Sequence, residues 1–292
     1  MINIFNLYDL IFNLLIQKII LFTNYKSSLI FLKKLFILNL KTVILMSNFK
    51  FSRKLKDYLK KIELKTGREI KFFKSPDLGI KGITAAYNYH PHYIQITLNM
   101  ENPRSIEDRE RSVAHEATHG YIIHKLKFCR PIFLENVDDN YKRDVHLIFT
   151  MIEDIIVNKI IQDNGFYPFG HEYLPMVTEE IKIAHKGEEE GEKFYHRFTD
   201  NPHLEALLMI SRYIIAWGFL RYYHLDTQEE KLIQEFTQTF QKFYIDYYKF
   251  CVKIKEIIEE HNIFTANGEC SAIQLILQLF KLDERVELTQ LN

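Results

Sequence analysis

Cysteine, proline and glycine are scarce in this chain, which has 3, 7 and 10 of them in 292 residues. Three widely spaced thiols, Cys129, Cys251 and Cys270, exclude a disulfide framework and fit a reducing compartment. No C-x-x-C pair is present to hold zinc through sulfur. Neither an internal repeat nor a long Pro/Gly/Ser linker divides the sequence. Net charge is also missing, with 38 basic against 38 acidic residues, but its distribution is uneven. Residues 1–60 carry ten Lys and Arg against two acids, and the remainder is correspondingly acidic. With 47% hydrophobic residues the chain has enough apolar material for a substantial core.

Residues 1–45 stand apart as an Ile-, Leu-, Phe-, Asn- and Lys-rich leader. Asp9, Lys18, Lys26, Lys33, Lys34 and Lys41 interrupt every window, so no charge-free run approaches the roughly 20 residues of a spanning helix. There is no Ala-x-Ala-like cleavage site for an ordinary secretory signal. The preferred reading is translation from an upstream start, with Met46 as the native beginning. An interfacial segment meeting anionic lipid through its lysines stays open. The expectation is a cytoplasmic protein of one folded domain, 46–292, with membrane association through 1–45 as the alternative.

What is present is His115-Glu116-Ala117-Thr118-His119. On a helix, two imidazoles four residues apart share a face and can ligate one Zn²⁺. Glu116 falls about 100° further round, beside the metal and placed to take a proton from water. The helical context is there. Ser105 is a natural N-cap with Asp108 three residues on, and no Gly or Pro intervenes before Gly120, so a helix is predicted over 106–125. Two histidines leave the site incomplete, and a third protein ligand is required.

The next strong helix is predicted over 144–163, with Ile148, Ile152, Ile155, Ile156 and Ile160 as its apolar side and Asn164-Gly165 as its stop. Two adjacent acids, Glu153 and Asp154, lie inside that run. A carboxylate among Ile and Met is costly to bury unless it pairs or coordinates. Glu153 is preferred as the ligand for its longer arm. Asp154 is the outer acceptor or the alternative ligand, and Asn158 one turn later gives further support. His146 and His124 are weaker candidates, and His124 is expected at the surface.

These positions resemble the gluzincin branch of the zincin metallopeptidases, over approximately residues 90–165. A metzincin would place Gly and His where this chain has Ile122 and Lys125. The resemblance implies that His115, His119 and Glu153 bind zinc and that Glu116 is the general base in peptide-bond hydrolysis. It also implies an edge strand that aligns a peptide substrate, for which the polar and apolar alternation over 92–98 is the candidate. The family's Glu-x-x-x-Asp pattern reads here as Glu153-x-x-x-Val157 or Asp154-x-x-x-Asn158. The expected fold is α+β and mostly helical, a small zincin-like N-terminal sheet with the active helix followed by a helical part from about 200 to 292. The rival function is a non-catalytic binding or regulatory protein on the same fold.

Elsewhere the pattern predicts a basic helix over 51–65, strands near 69–73 and 80–87, and an acidic loop at 188–192. Further helices are expected from Pro202 to about 223, 228–260 and 270–281. Arg53, Lys54, Lys56, Lys60 and Lys61 have no aromatic platform beside them, so a solvated face is expected and no nucleic-acid partner. Tyr195, His196 and His203 are candidates for an oxyanion donor. Oligomeric state is not legible in the sequence.

Overall fold

The computed structural model describes residues 51–75, 84–99, 105–189 and 199–290. The leader, Met46, residues 76–79, most of the expected acidic loop, Tyr195 and His196 lie outside them. Helix α1, Arg53–Thr66, begins where the Ser52 side chain accepts the Leu55 N–H and ends at Gly67 with φ 65°. Three strands form a sheet: β1 (Ile70–Ser75), β2 (Ala85–Asn88) and β3 (Ile94–Asn99). Their order is β1-β3-β2, with β1 parallel and β2 antiparallel to β3.

This corrects the expectation for residues 92–98. Ile94, Ile96 and Leu98 are buried, but among the described residues β3 is the central strand and β2 is an edge. Alternation reports which face of a strand is covered, not where the strand lies in its sheet. Along β2 the Asn99 N–H donates to the Thr84 carbonyl, so residues 84 and 86 face β3 while the peptide groups of Ala85 and Tyr87 point outward.

Helix α2, Ile106–His124, carries the histidine pair and lies across the sheet, capped by the Ser105 hydroxyl on the Asp108 N–H. Gly120, directly after His119, lets it approach. A Cβ there would stand 2.6 Å from Ile94 Cγ2. Gly120→Ala is therefore expected to destabilise the fold by about 1–3 kcal/mol despite alanine's better helix propensity, as read by denaturant unfolding.

Strand β4, Cys129–Phe133, leads to helix α3, Asp139–Asp163. α3 starts five residues before the predicted 144. Its first turn is polar and shows no apolar period, yet Asp138 caps it by accepting the Tyr141 N–H. Helix α4, Tyr173–Glu189, absorbs Glu188 and Glu189 of the expected acidic loop. Val177, Ile181 and Ala184 are its buried face.

Helix α5, Pro202–Tyr222, starts as expected at Asn201, whose side chain accepts the N–H groups of His203 and Leu204. The single helix expected over 228–260 is two, α6 (Thr227–Phe243) and α7 (Ile245–Glu260), broken at Tyr244 with φ −115° and ψ 46°. No Gly or Pro marks the break. Burial of Phe236, Phe240 and Tyr244 in the common core fixes it. Helix α8, Ala266–Leu279, is followed by β5, Val286–Gln290, which pairs antiparallel with β4. The Cys129-Arg130-Pro131 segment is thus half of a ribbon.

The result is an α+β, mostly helical fold with a small sheet, as expected. α5 is long and apolar enough to cross a membrane, with half of its apolar window buried. It packs against α3, α6 and α7.

Candidate metal centre

Helices α2 and α3 pack side by side and present three ligand atoms to one point. His115 Nε2 and His119 Nε2 are 3.2 Å apart. Asp154 Oδ1 is 3.4 Å from each. A tetrahedral ion with bonds of about 2.0–2.1 Å has ligand-to-ligand edges of about 3.3–3.4 Å. The triangle fits a single small cation.

The outer ring nitrogens settle which way the imidazoles point. His115 Nδ1 is 2.8 Å from Asn158 Oδ1, and Arg111 donates to that same oxygen at 2.8 Å, so it is an acceptor and His115 Nδ1 carries the hydrogen. His119 Nδ1 donates to Glu153 Oε2 at 3.0 Å. Both Nε2 lone pairs are thereby left facing each other and the Asp154 carboxylate. Three electron-rich atoms converging at 3.2–3.4 Å repel unless a proton or cation stands between them.

Glu153 and Asp154 exchange the expected roles in this geometry. Asp154 joins the Nε2 atoms, while Glu153 accepts from His119 Nδ1. α3 lies so close to α2 that the shorter carboxylate reaches the centre. One residue back, 100° round the helix, Glu153 is turned toward His146 and Glu269, whose charges it perturbs. Asn158 supports His115 as its spacing from Asp154 suggested, and Arg111 also donates to the Pro168 carbonyl.

In the metal-free protein burial opposes charge on His119, but hydrogen bonds to Asp154 and Glu153 outweigh it and hold the pKa well above 6.5. Burial likewise disfavours ionised Asp154, and the imidazoles of His115 and His119 overcome it and keep the carboxyl well below its usual range. The raised His119 value stabilises the metal-free fold fully below about pH 6.5 and loses that contribution as pH rises through the folded value. A cation must displace this proton. Apparent metal affinity is therefore expected to keep rising, about tenfold per pH unit, through neutrality instead of levelling near 6.5, as measured by competition with a chelator between about pH 6 and 8.

Glu116 Oε2 accepts the Tyr87 N–H at 2.7 Å, from the outward side of β2. The Tyr87 ring stacks on His119 with centroids 6.3 Å apart. A cavity of about 390 Å³ opens beside the centre, lined by His115, Glu116 and Asp154, by Ala85 of β2, and by Phe169, Tyr173, Met176, Ile215 and Phe219 at its apolar end. The Tyr173 hydroxyl has no hydrogen-bond partner among the described residues, and burial pushes its pKa up. Its place in the cavity was not legible because α4 carries few strong helix signals beyond Val177, Ile181 and Ala184.

The other expected residues lie elsewhere. His203 is half-exposed, 3.4 Å from Asp144, and does not line the cavity. His146 packs edge-on against Phe133. His124 is buried, not superficial, because Tyr89 at the end of β2 stacks over it at 5.5 Å.

No protein-family model, no curated protein and no solved structure matches this chain.

Proposed function

We propose that this protein is a zinc-dependent peptidase of zincin type, with the gluzincin pattern altered so that aspartate is the third ligand. The convergence of His115 Nε2, His119 Nε2 and Asp154 Oδ1 at tetrahedral edge lengths, with Glu116 in the same cavity, carries the reading. Two imidazoles and one carboxylate leave a fourth position open and suit zinc. Bound zinc supplies Lewis acidity toward a water and a substrate carbonyl.

The chain's own residues do the rest. Glu116 accepts a proton from the attacking water and returns it to the leaving amine. The Tyr87 N–H holds one Glu116 oxygen, leaving the other for that exchange. Asn158, Glu153 and Arg111 keep the imidazoles in the ligating tautomer. The outward Ala85 N–H and carbonyl and the Tyr87 carbonyl, with the Tyr87 N–H already held by Glu116, offer an extended peptide a β-type partner, so β2 takes the part that sequence pattern gave to residues 92–98. The part of the cavity lined by Phe169, Met176, Ile215 and Phe219 receives a hydrophobic side chain, while Arg111 and Arg212 also line the cavity. The test is digestion of a peptide library by zinc-loaded protein. Cleavage that a chelator stops and zinc restores supports the reading, and an intact library contradicts it.

A further inference from the structure

The groove along β2 has a second end. β2 and α2 advance together: Ala85 lines the cavity with His115 and Glu116, Tyr87 stacks on His119, and Tyr89 stacks on His124. Passing from Tyr87 to Tyr89 moves about 7 Å along an extended chain, away from the apolar cavity. There the Arg130 guanidinium lies 3.2 Å over the Tyr89 ring. Arg68, at the entry to β1, joins it in acting electrostatically on both Tyr87 and His124.

We propose that Arg68 and Arg130 form a carboxylate-binding subsite that takes an anionic group one or two residues from the scissile bond of a peptide laid along β2. The proposal rests on the peptidase reading above. Among the described residues neither guanidinium has an ion-pair partner, although both are partly buried. Glu153, which acts on Tyr87 as they do, is committed to His119, and Glu69, next to Arg68, lies 3.6 Å from Lys71 Nζ.

A second observation is independent of the arginines. His124 is 5% exposed, yet among the described residues neither of its ring nitrogens has a hydrogen-bond partner. Burial, with Arg68, Arg130, Lys127 and His90 around it, pushes its pKa down to about 4, so at neutral pH it is an uncharged ring whose buried donor and acceptor both go unmatched beside Tyr89. Stacking on Tyr89 fixes the plane of Arg130, which leaves its fork pre-oriented for two parallel bonds to a carboxylate. That carboxylate can be the terminus of a peptide or an Asp or Glu side chain.

The two sources, and the reading beneath, separate in one experiment. Zinc-loaded Glu116→Gln protein is titrated with three pools of fluorescein-labelled random tetrapeptides, followed by anisotropy. One pool ends in free carboxylate, one in amide, and one in amide with a fixed glutamate. The expected result is at least about tenfold tighter binding of one or both carboxylate pools than of the plain amide. The preference should vanish in Arg68→Met/Arg130→Met protein and persist in part in Arg130→Lys. A free-acid preference assigns the terminus, and a glutamate preference assigns the side chain.

If the double variant loses zinc or helical signal, Arg68→Met alone, outside the Tyr89 stack, is scored for the same loss of preference. Equal binding of all pools, no binding of any, or a preference that survives methionine overturns the subsite. Wild type that leaves every pool uncut removes the peptidase reading without changing this binding result.

Discussion

Glu116→Gln is expected to keep one equivalent of zinc while losing hydrolysis by about a hundredfold to ten-thousandfold. Glutamine is isosteric and can still accept the Tyr87 N–H through its amide oxygen, so the local structure is kept. It cannot take a proton from water, and general base catalysis is worth about that factor. Metal analysis and cleavage of a peptide library on the same preparation check both halves. Equal turnover by wild type and variant would leave a protein with the metal site but without the proposed chemistry, the rival reading of the same fold. Loss of zinc in the variant would instead make Glu116 a ligand, against its place on the β2 edge.

The second large effect separates the adjacent acids of α3. Asp154→Ala removes an oxygen that stands 3.4 Å from both Nε2 atoms, and the protein should emerge from gel filtration without stoichiometric zinc. Glu153→Ala removes the acceptor that orients His119 and should weaken zinc about tenfold to a hundredfold while leaving the site loadable. Chelator competition on both variants measures the difference. The opposite ranking would return the third ligand to Glu153.

That pair shows how far the sequence could be read. The helical face of His115 and His119, the cap at Ser105, and the presence of a partner carboxylate in the next helix follow from periodicity and from the cost of burying charge. Which acid turns inward depends on how near and at what rotation two helices pack. Gly120 against Ile94 sets part of that spacing, and no local pattern encodes it. The same holds for β2. Its four residues, Ala85–Asn88, are too short to announce an edge, whereas the clear alternation at Ile94, Ile96 and Leu98 belongs to the strand that the sheet encloses. The β4–β5 ribbon joins segments far apart in the chain and has no local turn signal. His124 lies off the ligand face of α2, and Tyr89, from a segment distant in sequence, shields that other face.

The central claim is that one cation sits among His115, His119 and Asp154, and crystals grown with zinc and measured at the zinc absorption edge test it most directly. The account predicts a single strong anomalous peak about 2.0–2.2 Å from His115 Nε2, His119 Nε2 and an Asp154 oxygen. No peak between those atoms, in crystals that hold the three side chains as found here, would contradict it.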